Sequence, residues 1–315
     1  MDFEKPVVQL ERKIGEMRKL AAGSGMKSLL VEIDRMERKA ARMRQEVFQN
    51  LSAWQKVQMA RHPRRPYSLD YIQRICDSWL ELHGDRGFSD DHAIVGGLAQ
   101  IGGQPVLIIG HQKGRGTKEN LFRNFAMAHP EGYRKAMRLF RLATKFKRPI
   151  VTLVDTPGAY PGLGAEERGQ AEAIARSLFE MAQLPVPVVT IVLGEGGSGG
   201  ALALSVADEI YMLEYSIYSV ISPEGCASIL YRDAGQASDA AEALKLTSND
   251  LLDLNIIDGI IPEPAGGAHN DYDVAAANVK EQILNSLERL TKIPVPQLIA
   301  ARHRKYEKMG FWLET

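Results

Sequence analysis

The chain has 315 residues, of which 45% are hydrophobic and 25% charged, as in an ordinary globular protein of one large or two modest domains. Its 39 basic and 39 acidic residues cancel, so nucleic acid is an unlikely partner, and no apolar run is long enough to span a membrane. The two cysteines, Cys76 and Cys226, lack zinc-ligand spacing, so we expect no metal site and a reducing, cytoplasmic location.

The first sixty residues have the apolar spacing of helices. Apolar residues recur every three or four positions over residues 4–60, and an AAGSG stretch predicts a break between a short first helix and a long second one. Pro63 and Pro66 cannot continue a helix, so we predict a helical arm over residues 1–62. Residues 1–66 hold 15 Lys/Arg against 8 Asp/Glu, and this basic face is either solvated or docks an acidic partner.

Strands alternate with helices after this arm, beginning with a hairpin. The strands are nearly continuous Val/Ile/Leu runs, which favour an α/β fold with a sheet buried on both faces. The predicted strands are 93–101, 106–110, 149–155, 187–194, 209–213, 217–221 and 256–261. The predicted helices are 130–146, 164–184, a short one opening at SGGALALSVA, 223–230, 240–246, 248–254, 273–290 and 296–309.

The stretch GEGGSGG, residues 194–200, joins a predicted buried strand to a helix. Glycine lets a ligand touch the main chain, and the start of a helix presents unpaired N–H groups. A phosphate-binding loop would need a following lysine, which is missing. We therefore expect an oxyanion hole formed by the N–H groups of Gly199 and Gly200. In this interpretation Ser198 caps the helix, and Gly197 and Ser198 also contact the substrate.

Two other interpretations of the same stretch stay open. GGSGG contains the pattern G-x-S-x-G, so Ser198 could be the nucleophile of a serine hydrolase, with Asp258 and His269 as its partners. Alternatively, the glycines could serve only to let a strand and a helix cross closely.

A second glycine turn, DTPGAYPG, follows the neighbouring predicted strand. Ligands of α/β sheets lie at the carboxyl ends of the strands, so both turns are expected at one edge. The N–H groups of Gly158 and Ala159 are then candidates to point, with Gly200, at a single oxygen. Tyr160 and Gly162 are expected to bind substrate beside them. Taken alone, the segment is equally well explained as a loop rich in turn residues.

The segment 111–125, HQKGRGTKENLFRNF, is basic, contains glycines and carries two aromatic residues, Phe122 and Phe125. Such a segment suits an anionic ligand or a partner surface, and a solvated loop explains it as well.

Several of these stretches resemble one family. ARHPRRPYSLDYI, GDRGFSDDHAIVGG, GHQKGR, PEGYRKA, DTPGAYPGLGAEERGQ, GEGGSGGALAL and YSVISPEGCASIL are similar to the alpha subunit of the bacterial acetyl-CoA carboxylase carboxyltransferase. A departure is Gly116, where relatives are expected to carry Glu. The resemblance implies a crotonase-like (ClpP/crotonase) ββα spiral over residues 63–315, ending in C-terminal helices, and an arm over 1–62 for subunit contacts.

The same resemblance implies an activity and its partners. It implies an alpha2-beta2 assembly with a beta subunit that carries a zinc ribbon, served by a biotin carboxylase and a biotin carboxyl carrier protein. The carboxyl group of carboxybiotin passes to acetyl-CoA and gives malonyl-CoA for fatty-acid biosynthesis; biotin is not attached to this chain. Negative charge appears in turn on a biotin oxygen and on the thioester, which calls for backbone donors. By analogy, this subunit holds the biotin oxygen. A non-catalytic scaffold is the remaining alternative.

Overall fold

The computed structural model describes residues 1, 3–24 and 27–310 of the chain. Its helices are α1 (Lys5–Ser24), α2 (Lys27–Gln49), α3 (Ala53–Ala60), α4 (Ser68–Ile75), α5 (Gly116–Phe122), α6 (Pro130–Lys145), α7 (Leu163–Glu167), α8 (Gln170–Ala182), α9 (Ser198–Leu202), α10 (Pro223–Leu230), α11 (Ala237–Leu244), α12 (Ser248–Asp253), α13 (Tyr272–Leu290) and α14 (Val295–Glu307). Its strands are β1 (Ser78–Glu81), β2 (Ile94–Ile101), β3 (Gln104–His111), β4 (Ile150–Thr156), β5 (Val188–Gly197), β6 (Glu209–Leu213), β7 (Ile217–Ser219) and β8 (Gly259–Ile261).

One mixed sheet organises the body of the protein. Its strand order is β1-β2-β3-β4-β5-β6-β8, and β7 pairs with the end of β5. The first three strands are antiparallel, whereas β3 to β8 run parallel. All of β4, and β5 up to its last residue, is buried. The α/β class predicted from the continuous apolar runs is therefore confirmed.

Alternation along the central strands creates a core on each face of the sheet. Val154 points to one face, where it joins a cluster with Phe140 of α6 and Met181 of α8. Its neighbour Leu153 points to the other face and joins a cluster with Ile283 of α13. Since successive side chains of a strand point to opposite faces, helices on both sides are needed to bury them. This packing holds the ends of β4 and β5 rigidly.

Three elements were not predicted: α4, β1 and α5. Helix α5 has no buried residue and β1 alternates between exposed and half-buried positions, so neither has a continuous apolar signal. The helix predicted over 164–184 is wrong as a single element. Gly169 adopts a left-handed conformation, with φ of 80°, and separates α7 from α8. The other predicted elements of the body are present: 209–213 and 223–230 match β6 and α10, and the remaining ones have shifted ends.

The N-terminal arm differs from its prediction in two ways. The first helix is not short, since α1 runs to Ser24, and the predicted break at 21–25 extends into residues outside the described ones. The chain also breaks between α2 and α3, where the Ser52 hydroxyl accepts the N–H of Gln55 as a helix cap. Val57 of α3 packs on the body in a cluster with Ile217. The boundary at residue 62 stays a prediction. Within the described ranges, no helix combines the length and apolar character needed to cross a bilayer.

Candidate active site

The two glycine turns lie side by side at the carboxyl edge of the sheet. β4 and β5 are adjacent and parallel, and Thr156 at the end of β4 pairs with Gly196 near the end of β5. β4 leads directly into the first glycine turn, residues 157–162, and the second glycine turn covers the end of β5 and the start of α9. This edge is where ligands of α/β proteins are usually found.

The main chains of the two turns touch at Gly200. A Cβ atom at this position would lie 2.5 Å from the carbonyl carbon of Gly158 and 2.6 Å from the nitrogen of Ala159. A Cβ at Gly197 would lie 2.2 Å from the carbonyl oxygen of Pro157. Only glycine allows backbones to approach so closely.

Gly199 has a different environment from its two neighbours. A Cβ there would meet only the Ile174 side chain, at an ordinary contact distance of 3.6 Å. The close approach of the two turns therefore depends on Gly197 and Gly200, while Gly199 tolerates a small side chain.

Ala159 carries an unpaired N–H group beside this contact. Among the described residues it meets no acceptor, and Ala159 is half-buried. The neighbouring amides are engaged: Gly158 N–H donates to Thr156 Oγ1 at 3.1 Å, and Tyr160 N–H donates to the carbonyl of Ala128 at 3.0 Å. Of the two donors predicted in this turn, Ala159 N–H is therefore the one available to a ligand. A partly buried amide without a partner is uncommon and marks a candidate binding position.

Two further predicted residues shape the same turn. The Tyr160 ring stacks on His129 with 4.1 Å between ring centroids. A Cβ at Gly162 would lie 2.4 Å from the Tyr160 ring, so Gly162 lets the ring lie close over the backbone. Both residues hold the shape of the turn beside Ala159, and their contact with substrate stays a prediction.

Ser198 does not cap α9, contrary to the expectation from the sequence. The capping position is Gly197, and no side chain among the described residues accepts a hydrogen bond from this helix start. Ser198 is exposed, has a left-handed backbone with φ of 51°, and its hydroxyl makes no hydrogen bond within the described chain. It lies at the edge of a largely apolar cavity of about 460 Å³ that Leu202 and Tyr218 also line.

The two proposed partners of a Ser198 nucleophile, His269 and Asp258, are engaged with other residues. His269 is buried, with its ring stacked on His62 at a centroid distance of 3.8 Å. Asp258 pairs with Lys305 of α14. Neither forms a hydrogen bond with Ser198, so the structure does not assemble a Ser–His–Asp triad.

Glu4 completes the cluster around His269 and connects the arm to the body. Ligand atoms of Glu4, His62 and His269 lie within 4.8 Å of one another. Because the imidazole rings are stacked, their lone pairs run side by side and do not converge on one point, which disfavours a tetrahedral metal site. Burial raises the pKa of Glu4, but hydrogen bonds from His269 and the N-terminal amine outweigh it and lower that pKa to about 2. We assign this cluster to docking of the arm.

A buried group of charges ties together the ends of three strands. Lys113, just after β3, lies with its Nζ 2.7 Å from Asp155 Oδ1 and 2.8 Å from Glu195 Oε2. Arg61 adds a bond of 2.6 Å from its Nε to Glu195. Burial lowers the pKa of Lys113, but the two carboxylates outweigh this effect and raise it. The basic segment 111–125 is therefore not wholly available to a ligand, since Lys113 is occupied within the protein.

Comparison with known proteins places these features in a family. The family model of acetyl co-enzyme A carboxylase carboxyltransferase-like proteins matches residues 1–310. The chain belongs to this family. Carboxyl transferase alpha subunits of acetyl-coenzyme A carboxylase from Geobacter metallireducens and Thermus thermophilus are 55% and 54% identical to it over 314 residues. Each alignment covers all of this chain, with 98% and 99% of the respective relative. The predicted enzyme class, a carboxyltransferase of acetyl-CoA carboxylase and its alpha subunit, is confirmed.

A solved structure confirms the crotonase-like fold predicted for this carboxyltransferase subunit. Transcarboxylase 12S, crystallised with methylmalonyl-coenzyme A, superposes with a TM-score of 0.60 at 22% identity. The superposition covers 72% of this chain and 42% of that one, so the chain spans about two fifths of the transcarboxylase polypeptide. At this identity the likeness shows the fold alone.

His111, the last residue of β3, is fully buried and was not predicted to matter. Neither of its ring nitrogens makes a well-formed hydrogen bond in the described part of the chain, although the backbone of Gly200 lies close enough to oppose the lowering of its pKa. Burial lowers its pKa from an ordinary 6.5 to about 3, so the imidazole is neutral in the folded protein at neutral pH.

This burial predicts a pH dependence of stability in the carboxyltransferase subunit. Below pH 6.5 the imidazole of His111 is protonated in the unfolded chain, whereas in the folded protein it stays neutral down to about pH 3. Because the unfolded state then binds more protons, the free energy of unfolding decreases as the pH falls. From this group the free energy of unfolding should fall by up to about 1.4 kcal/mol per pH unit. We expect His111→Gln to flatten the slope between pH 6.5 and pH 5 in urea unfolding. The exposed His303→Gln control should keep the wild-type slope, and equal slopes in all three proteins would contradict the assignment.

Proposed function

We propose that this chain, in an alpha2-beta2 assembly with a beta subunit, transfers the carboxyl group of carboxybiotin to acetyl-CoA and so produces malonyl-CoA for fatty-acid biosynthesis. A biotin carboxyl carrier protein presents the carboxybiotin, which a biotin carboxylase makes. The beta subunit carries the zinc ribbon and binds CoA. The names of the relatives that are 54–55% identical support the acetyl-CoA acceptor. We place the reaction in the cytoplasm, in keeping with two unpaired cysteines.

One observation carries the proposed role of this subunit: Gly200 touches the Gly158–Ala159 peptide, and Ala159 N–H has no acceptor among the described residues. Carboxyl transfer places transient negative charge on an oxygen. Backbone donors fixed in advance around such an oxygen stabilise it without reorganising at the moment of reaction. We assign this role to the N–H groups of Ala159, Gly199 and Gly200.

The residues at this edge suit the biotin ring system as a co-substrate. Ala159 N–H has no acceptor among the described residues, and the Cβ-free backbone of Gly200 lies directly against the Gly158–Ala159 peptide. Carboxybiotin supplies the carboxyl group when bound, while Ala159, Gly199 and Gly200 hold the oxyanion through their N–H groups. The Tyr160 ring, stacked on His129, lies in the same turn beside Ala159. A second hole, for the thioester oxygen, belongs to the beta subunit.

Reconstitution tests the proposed function. The purified chain, mixed with its beta subunit, should transfer carboxyl groups between malonyl-CoA and free biotin, whereas the chain alone should be nearly inactive. Full transfer by the isolated chain, or none by an assembled complex, would contradict the proposal.

A Ser198→Ala variant separates carboxyl transfer from serine-based hydrolysis. Ser198 is exposed and its hydroxyl makes no hydrogen bond within the described chain, so its removal should leave kcat nearly unchanged and stability within about 0.5 kcal/mol, as for other surface substitutions. A serine nucleophile behaves differently, since its removal costs roughly a millionfold in kcat. The readout is carboxyl transfer by the reconstituted complex. Loss of carboxyl transfer in a correctly assembled variant would show that the Ser198 hydroxyl takes part in the reaction.

A further inference from the structure

The Thr156 hydroxyl lies at the centre of the first glycine turn, in contact with three backbone groups. Thr156 is fully buried at the end of β4. Its Oγ1 accepts the N–H of Gly158 at 3.1 Å and lies 2.7 Å from the carbonyl oxygen of Gly158. It also lies 2.6 Å from the carbonyl oxygen of Ala126. A hydroxyl has one proton, so Oγ1 shares a single donor between these two carbonyls.

The carbonyl of Gly158 and the N–H of Ala159 belong to the same peptide group. Because a trans peptide is planar, its C=O and N–H point in opposite directions and turn together as one rigid unit. A hydroxyl that holds the carbonyl oxygen of Gly158 therefore also sets the direction of the Ala159 N–H. Hydrogen bonds in such a chain polarise one another, so the same contact strengthens Ala159 N–H as a donor.

The second carbonyl comes from a strained segment beside the site. Asn124, Phe125 and Ala126 all have left-handed backbones, with φ of 47°, 55° and 60°. Residues other than glycine adopt this conformation at a cost, and consecutive ones persist only where surrounding contacts hold them. Thr156 supplies such a contact through Ala126, so its hydroxyl ties this segment to the Gly158–Ala159 peptide.

We propose that Thr156 is a positioning residue for carboxyl transfer. Its hydroxyl orients the Gly158–Ala159 peptide so that Ala159 N–H faces the developing oxyanion. This inference rests on the proposed role of Ala159 N–H as an oxyanion donor. Thr156 itself does not touch the substrate, and its effect reaches the reaction only through the peptide that it holds.

The test compares three variants of the reconstituted alpha–beta complex. Thr156→Val removes the hydroxyl at nearly constant volume and should lower kcat about tenfold to a hundredfold. This loss is no larger than that caused by removing an oxyanion donor, because Ala159 N–H is misdirected and not removed. KM for malonyl-CoA should stay unchanged, because no substrate contact is removed. Thr156→Ser keeps the hydroxyl and should restore kcat. The matched control is Thr152→Val in the same strand, where a buried hydroxyl pairs with Thr190 Oγ1 at 2.7 Å, away from the turn. It should lower stability without lowering kcat.

Other outcomes overturn the inference in distinguishable ways. Equal loss of kcat in the Thr156 and Thr152 variants, or no rescue by Thr156→Ser, would show a merely structural role. Wild-type kcat in Thr156→Val beside an inactive Gly200→Ala would overturn the inference and leave the proposed function standing. Wild-type kcat in both would overturn the proposed oxyanion role of Ala159 and Gly200 as well, while carboxyl transfer by the complex itself would stand. If Thr156→Val does not fold, Thr156→Cys, with a weak S–H donor of similar size, replaces it in the same comparison.

Discussion

A Gly200→Ala variant should lose carboxyl transfer by about a hundredfold or more, the cost of losing an oxyanion donor. The added Cβ would lie 2.5 Å from the carbonyl carbon of Gly158 and 2.6 Å from the nitrogen of Ala159. Both obstacles are backbone atoms, so a rotamer change cannot relieve the clash, and the two turns must move apart. In the proposed site, the N–H groups of Ala159 and Gly200 would then no longer face one oxygen.

The measurement is kcat of the complex reconstituted with the beta subunit, with thermal unfolding and sedimentation as checks of folding and assembly. Gly199→Ala makes the same chemical change one residue earlier, where the Cβ meets only Ile174 at 3.6 Å. It keeps its own N–H and should lose far less activity. A folded Gly200→Ala complex with wild-type turnover would refute the site assignment and support a scaffold role for this chain.

Lys113→Met should lower the free energy of unfolding by about 3–5 kcal/mol, the cost of removing one partner from a buried ion pair. Lys113 Nζ lies within 2.8 Å of both Asp155 and Glu195, and only 13% of its side chain is exposed. Methionine fills a similar volume but leaves two buried carboxylates facing each other, with Arg61 as the remaining cation on Glu195. Because these groups join the ends of β3, β4 and β5, activity should fall too.

The pH dependence of the Lys113→Met defect identifies its cause. Burial already raises the pKa of Asp155, and removing the ammonium group should raise it further. A carboxyl group whose pKa is raised by folding favours the folded state at low pH and loses that contribution as the pH rises through its folded pKa. The stability deficit should therefore be larger at pH 8 than at pH 5.5 in urea unfolding. The exposed Lys118→Met is the matched control and should show almost no deficit at either pH. A deficit independent of pH would point to lost packing.

Local patterns predicted both glycine turns. The apolar runs before Asp155 and Gly194 have the length and composition of buried parallel strands, and parallel strands place their carboxyl ends at one edge. Local patterns failed where a residue's partner is distant in sequence. The sequence predicts that Ser198 caps a helix, yet the backbone of Ser198 is left-handed and its hydroxyl is exposed. The sequence around Lys113 predicts a basic surface, yet Lys113 pairs with carboxylates near the ends of two other strands.

The amino-acid sequence by itself determined the α/β class, the family and the two glycine turns. The spacing of apolar residues and the placement of glycines are local signals, which involve only a few neighbouring residues. Only the tertiary structure decided which amide in those turns is available. Gly158 N–H is taken by Thr156 Oγ1, while Ala159 N–H is left without an acceptor in the described chain. Only the tertiary structure also showed that His269 contacts His62 and Glu4 of the N-terminal segment and makes no hydrogen bond with Ser198. The reason is physical: hydrogen-bond satisfaction depends on distances between segments that only the packed fold brings together.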